Sequence, residues 1–237
     1  MPEINYKKVV ETALNEVGYQ GQTKNSKYTQ FLDSVNWYNG KKAGACTWCA
    51  IFYDYCVAVN KGELSYEQAR QVVCEPSNAA ANTGAGCTQH AQMYKDKGRW
   101  ISSVSKATTG DQVFFKKSNG SIYHTGILVD WNSSGIYTVE GSTDGAKVTK
   151  RFYSYSDPKL AGFGRPDWYK YQTEAKPDPK PSNNSGYTDA EIQAAYDCIE
   201  GKYGNGQARG NNLTRAGFDY YRVQGLVNKI LKGEFKR

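Results

Sequence analysis

Three side chains carry the chemistry this chain could perform: the thiol of Cys49, the imidazole of His124 and the carboxylate of Glu140. A thiol attacks a carbonyl as its thiolate, and an ordinary cysteine pKa of about 8.5 leaves little of that form at neutral pH. Two arrangements correct this, a helix N-terminus beneath the sulfur and a histidine alongside it. Cys49 stands where the apolar run Trp48-Cys49-Ala50-Ile51-Phe52-Tyr53-Asp54-Tyr55-Cys56-Val57-Ala58-Val59 begins, so a helix over this run supplies the first. The chain has only two histidines, His90 and His124, which leaves few candidates for a neutral-pH base. His124 opens the apolar segment Gly126-Ile127-Leu128-Val129, where a rigid strand can hold its ring. Glu140 ends Tyr137-Thr138-Val139-Glu140, and a hairpin of the two strands would set it beside His124 to orient the imidazole. Spacing alone leaves open a packed cysteine and an ordinary strand histidine, because the three residues lie far apart in the chain.

The elements that must position them are legible in the periodicity. Ile4, Val9, Val10, Ala13, Leu14 and Val17 follow the helical period, with Gly18 as a stop. Cys49, Phe52, Cys56 and Val59 share one helical face, so that helix is expected to be buried along it. Further helices are predicted over about 64–73 and 87–97, after a polar stretch that runs to Ala45. From Gly110 the period becomes 2, and four strands are predicted: 111–115, 121–131, 135–140 and 146–153. Helices followed by adjacent strands imply an α+β domain with an antiparallel sheet.

A proline-rich stretch with almost no apolar side chains reads as a linker over 171–186, dividing the chain into domains at 1–170 and 187–237. After it, Thr188 and Glu191 have the capping-box spacing ahead of Ile192, Ala195, Cys198 and Ile199. A middle helix ending at Ala216-Gly217 and a last one capped by Asp219 complete a small three-helix bundle.

Composition narrows the partners. A net charge of +7 fits either plain solubility or attraction to a polyanion such as an acidic cell wall. Lysines and arginines gather no further than pairs such as Lys41-Lys42 and Lys116-Lys117, so nucleic acid is not an expected partner. No run of 18 apolar residues is present, so no membrane insertion is expected, and the first residues lack the apolar core of a secretory signal.

Four motifs in order, Trp48-Cys49-Ala50-Ile51-Phe52, Gly110-Asp111-Gln112-Val113-Phe114-Phe115, His124-Thr125-Gly126-Ile127 and Val139-Glu140-Gly141, resemble the CHAP family of cysteine amidases and peptidases. Gly84-Ala85-Gly86-Cys87 and Gly162-Phe163-Gly164-Arg165-Pro166 look like versions found in phage lysins, and the resemblance covers about residues 4–168. It implies a papain-like core that cuts peptidoglycan with Cys49 as nucleophile, His124 as base and Glu140 as orienting acid. Many members carry Asn where this chain has Ser142, leaving Ser142 as a possible supporting residue. The tail, from Ile199-Glu200-Gly201-Lys202-Tyr203-Gly204-Asn205-Gly206 to Val227-Asn228, is similar to the Cpl-7 type of wall-binding repeat. That similarity implies Tyr203, Gly204, Asn205, Gly206 and Arg209 as wall contacts, with Tyr203 standing where the family's tryptophan usually does.

The resemblance implies amide hydrolysis by an amidase or an endopeptidase; some relatives hold calcium, but no Asp-rich loop near the N-terminus would build such a site here, so neither metal nor organic cofactor is expected. The order of domains and the lack of a signal fit a phage lysin held in the host cytoplasm until a membrane hole releases it. Cys46-x-x-Cys49 with Cys87-x-x-His90 also spells a zinc site, and Cys46-x-x-Cys49 alone a redox pair. A wall-binding protein without catalysis is the remaining alternative. His90 then reads as a surface or packing residue, and a Cys74–Cys87 disulfide is left open.

Overall fold

Alternating apolar and polar residues from Gln112 onward pair into one antiparallel sheet in this computed structural model, which describes residues 4–75, 85–171 and 186–235. The expected linker lies outside the described residues over 172–185, as does Gly84. The chain forms two compact units, 1–173 and 174–237.

In the first unit, described strands run in the order β1 (Trp100–Ile101), β6 (Leu160–Gly164), β2 (Gln112–Lys116), β3 (Ile122–Trp131), β4 (Gly135–Thr143) and β5 (Lys147–Ser154). The four predicted strands are β2 to β5. Leu160–Gly164, where no strand was predicted, enters the sheet as β6 between β1 and β2. Its glycines disguised it. A Cβ at Gly164 would stand 2.2 Å from the Tyr94 ring, and one at Gly162 2.4 Å from the Trp100 ring, so these glycines let aromatics rest on a strand backbone. Arg165, just beyond β6, donates through Nε and Nη2 to the two Asp111 oxygens at 3.1 and 2.8 Å, which ties the strand end to the turn before β2.

Helices α1 (Tyr6–Asn15), α2 (Lys27–Ser34), α3 (Cys49–Val59), α4 (Tyr66–Val72) and α5 (Cys87–Asp96) accompany the sheet. α2 falls within the stretch read as merely polar. Ser26 and Thr29 close a capping box at its start, and Tyr28 and Leu32 are buried, so capping and two large side chains suffice where periodicity is weak. α1 buries Val9 and Ala13 but leaves Leu14 exposed, and it ends before Val17, which is exposed too, so its apolar stripe is narrower than the sequence suggested.

α3 departs from expectation in the other direction. Every residue from Cys49 to Ala58 is buried except Tyr55, while Val59 is exposed. It is a central helix, packed against β3 and β4 as well as α1, α2, α4 and α5. Ile127, Val129 and Val139 join its core cluster, whereas Leu128, Ile136, Val113 and Phe115 form a second cluster. Ile127 and Leu128 are consecutive, so the two clusters occupy opposite faces of the sheet.

The second unit contains α6 (Asp189–Ile199), α7 (Gln207–Arg215) and α8 (Tyr220–Leu231). The Thr188–Glu191 capping box forms, and Asp219 accepts from the Arg222 amide at 3.0 Å. Caps of this kind contribute about 1 kcal/mol each. Ile192, Ala195, Cys198, Leu213, Val223, Leu226 and Val227 build the core. Among the described residues, no helix is long and apolar enough to cross a membrane.

Candidate active site

The first residue of α3 is Cys49, 7 % exposed. Trp48 caps the helix without a side-chain hydrogen bond, so the first-turn amides are free for another acceptor. The sulfur takes up that role, accepting backbone hydrogen bonds from Ala50 and from Thr125, the residue after His124. Both bonds favour the thiolate, as does the positive end of the helix.

His124 and Glu140 meet as the expected hairpin predicts. β3 and β4 pair with Ile127 opposite Val139, which brings Glu140 across from Gly126. A Cβ at Gly126 would lie 2.6 Å from Glu140 Cγ, so the missing side chain lets Glu140 lie across β3. Residues 124 and 126 share a strand face. Nε2 of His124 consequently sits 2.9 Å from Oε2 of Glu140. A carboxylate only accepts, so Nε2 carries the hydrogen and Nδ1 keeps its lone pair. Thr138 donates to the other Glu140 oxygen at 2.6 Å, and Arg151 Nε stands 3.8 Å from Oε2. The carboxylate is almost wholly buried, and the Phe115 ring stacks on the imidazole at 5.6 Å.

Cys87 was not anticipated in this site. It is the first residue of α5, so two helices begin with cysteines whose sulfurs hydrogen-bond each other. That bond, together with burial, pushes the Cys49 thiol well up, despite the two backbone amides. The bond from Cys49 above all, helped by the nearby imidazole, holds Cys87 down at about 7. The two thiols therefore titrate together, each setting how readily the other loses its proton. The Cys49 sulfur thus spends its hydrogen bond on Cys87, and none joins it to His124. Applying helix-start reasoning to Cys87, after Gly86, was the signal available in the sequence. Both Cys74 and Cys87 are free thiols.

Ser142 lies in the irregular stretch of β4 between Glu140 and Thr143, with a left-handed backbone, and hydrogen-bonds neither His124 nor Glu140. The zinc reading of Cys46, Cys49, Cys87 and His90 does not assemble: His90 is fully buried and turned toward Asp54, away from the cysteines. The redox reading lacks its βαβ setting, since the sheet is antiparallel throughout.

In the second unit, Gly204 and Gly206 adopt left-handed backbones that reverse the chain between α6 and α7. Arg209 faces inward. It donates to the Gly204 carbonyl at 3.1 Å, the Cys198 carbonyl at 3.2 Å, Asn205 Oδ1 at 3.1 Å and Gln224 Oε1 at 3.0 Å. Its place is therefore inside the turn. Tyr203 is half-buried, edge-on to Phe218 at 6.4 Å, while Asn205 is exposed.

The class this defines is a two-unit protein: an α+β unit with a cysteine–histidine–glutamate cluster, then a three-helix bundle. The bundle is the recognisable part, since residues 193–231 match the CW_7 repeat family. A CW_7 repeat indicates binding to the bacterial cell wall. No curated protein and no solved structure matches the chain.

Proposed function

We propose that the first unit is a CHAP-type, papain-like cysteine hydrolase that cuts an amide bond of peptidoglycan, and that the CW_7 repeat holds it on its substrate. The observation that carries this reading is the His124–Glu140 pair, 2.9 Å apart and one residue from the backbone amide that contacts the Cys49 sulfur. His124 Nδ1 takes the Cys49 thiol proton, the resulting thiolate attacks the carbonyl carbon, and the Cys49 amide at the helix N-terminus receives the developing oxyanion. The same proton passes from Nδ1 to the leaving amine as the C–N bond breaks, and Nδ1 then takes a proton from the water that opens the thioester and returns it to the sulfur. Glu140 keeps Nε2 protonated and the ring in place. Each contact of this kind contributes roughly 10²–10³ in rate.

The muramoyl–L-alanine amide is the first candidate bond and a peptide of the stem or cross-bridge the second. Storage in a host cytoplasm and release through a phage membrane hole fits this pairing of catalytic and binding units. Digestion of purified walls followed by mass spectrometry tests it: stem peptides freed from glycan mean amidase, and new N-termini within peptides mean endopeptidase. Cys49→Ala should sediment with walls and release nothing. Undiminished release by Cys49→Ala refutes the mechanism.

One observation favours a second reading, a wall binder without catalysis: the Cys49 thiol is held by Cys87 and pushed up. Intact walls after prolonged incubation with the reduced wild-type protein would select it.

A further inference from the structure

Behind the thiol site, on the same two helices, lies a second cluster that the proposed hydrolysis does not use. Asp54 is on α3, Glu75 follows α4, and His90 is one turn beyond Cys87 on α5. All three are buried, and Asp54 and His90 are fully enclosed. A carboxylate oxygen of Asp54, one of Glu75 and a ring nitrogen of His90 lie within 4.8 Å of one another. Asp54 Oδ1, Glu75 Oε1 and His90 Nδ1 meet no donor group around them, so the one hydrogen bond open to the carboxyls is a proton shared between Asp54 and Glu75.

The remaining atoms are fully engaged, and they aim the free ones. His90 Nε2 is 3.0 Å from the Val73 carbonyl, which can only accept, so the hydrogen is on Nε2 and Nδ1 presents a lone pair. Tyr38 donates its hydroxyl to Asp54 Oδ2, and Trp37 donates its indole N–H to Glu75 Oε2 at 2.7 Å. His90 Nδ1 and Asp54 Oδ1 stand 3.9 Å apart, too far to share a hydrogen and with a lone pair on each side. Burial pushes Asp54 up to about 8 and Glu75 well up, so without an ion the cluster must hold a proton; with neither proton nor ion, three buried acceptors would repel one another at a cost of several kcal/mol in general. Arg70 places a positive charge near Glu75, but its Nη1 donates to the Trp37 carbonyl at 2.6 Å.

We infer that Asp54, Glu75 and His90 form a structural site for a divalent metal ion, with zinc the best match to one imidazole nitrogen and two carboxylate oxygens. The donor types suit zinc, whose bonds to such atoms are about 2.0–2.2 Å, after a small inward movement of the three side chains. The Val73 carbonyl, Tyr38 and Trp37 are the outer groups that orient metal ligands elsewhere: each ligand's second atom is fixed by a hydrogen bond. The ion would tie α3, the end of α4 and α5 together, and so set where Cys87 meets Cys49. Its role is structural, because the point is enclosed and no substrate reaches it.

The alternative is a proton held between Asp54 and Glu75. Metal content of the full-length protein, expressed with supplemental zinc and freed of loosely bound ions, separates the two. The expectation is about one zinc per chain, and a cobalt(II)-substituted sample without a thiolate charge-transfer band, which excludes the cysteines as ligands. Returning zinc to chelator-treated protein at a hundredfold excess over Kd should raise Tm by about 5–10 °C. Glu75→Gln gives the cluster an amide donor that can satisfy Asp54 without an ion. That variant should fold, yet bind zinc at least 100-fold more weakly. Protein that carries no metal and gains no stability from zinc overturns the site, as does unchanged binding in Glu75→Gln.

Discussion

Glu140 reaches His124 by lying across Gly126. The carboxylate crosses from β4 to β3 over a residue without a side chain, and Oε2 arrives 2.9 Å from the imidazole Nε2. Thr138, two residues earlier on the same face of β4, holds the second oxygen at 2.6 Å. The carboxylate is thereby fixed at both ends, and the imidazole inherits one tautomer from it.

That tautomer is open to test. In Glu140→Gln the amide can donate to Nε2, which moves the ring hydrogen to Nδ1, where it blocks proton abstraction. Wall hydrolysis should fall by on the order of 10²–10⁴, as expected for loss of an orienting carboxylate. Co-sedimentation with walls should not change. Hydrolysis within twofold of wild type would remove Glu140 from the mechanism.

Cys87 raises the Cys49 thiol in two ways, by its hydrogen bond and by its charge. Cys87→Ala removes both, so the thiolate of Cys49 forms at lower pH. The acid limb of kcat/KM against pH should accordingly shift to lower pH, and Cys49 should be alkylated faster at pH 6. An unmoved limb would show that the two sulfurs are not coupled in solution.

Gly141 measures how closely β4 approaches α3. A Cβ there would be 2.5 Å from Phe52 Cβ and 3.0 Å from the Trp48 ring. Gly141→Ala forces sheet and helix apart, which should cost about 1–3 kcal/mol, typical of overpacking. Activity should fall further than stability, because the displaced helix carries Cys49 while Glu140 remains on the sheet. Chemical denaturation beside a wall-release assay would compare the two losses.

Arg209 distinguishes support from contact in the CW_7 unit. Its four hydrogen bonds hold the turn at 204–205 against α6 and α8. Arg209→Ala leaves two carbonyls without this donor and should destabilise the second unit by about 1–3 kcal/mol, with wall affinity lost in parallel. Arg209→Lys should rescue little, since an ammonium cannot reproduce the planar fork. Lost wall affinity with unchanged melting of the unit would instead make Arg209 a direct contact.

The chain order of residues was enough for whatever depends on neighbours within one element. Alternation marked β2 to β5, the Thr188–Glu191 spacing marked the start of α6, and the apolar run after Trp48 placed Cys49 at a helix N-terminus. Those signals are local: caps act over three residues, and periodicity over two to four. Packing and register decided the rest. Gly162 and Gly164 interrupt the apolar alternation of β6, and only packing shows why: the Trp100 and Tyr94 rings rest on them. Arg209, expected as a wall contact, makes its hydrogen bonds to three segments that only folding brings around it. Cys87 faces Cys49, and His90 faces Asp54 and Glu75, only because α3 and α5 pack side by side. Such meetings join residues far apart in the chain, and a periodic pattern within either helix carries no information about the distance between them.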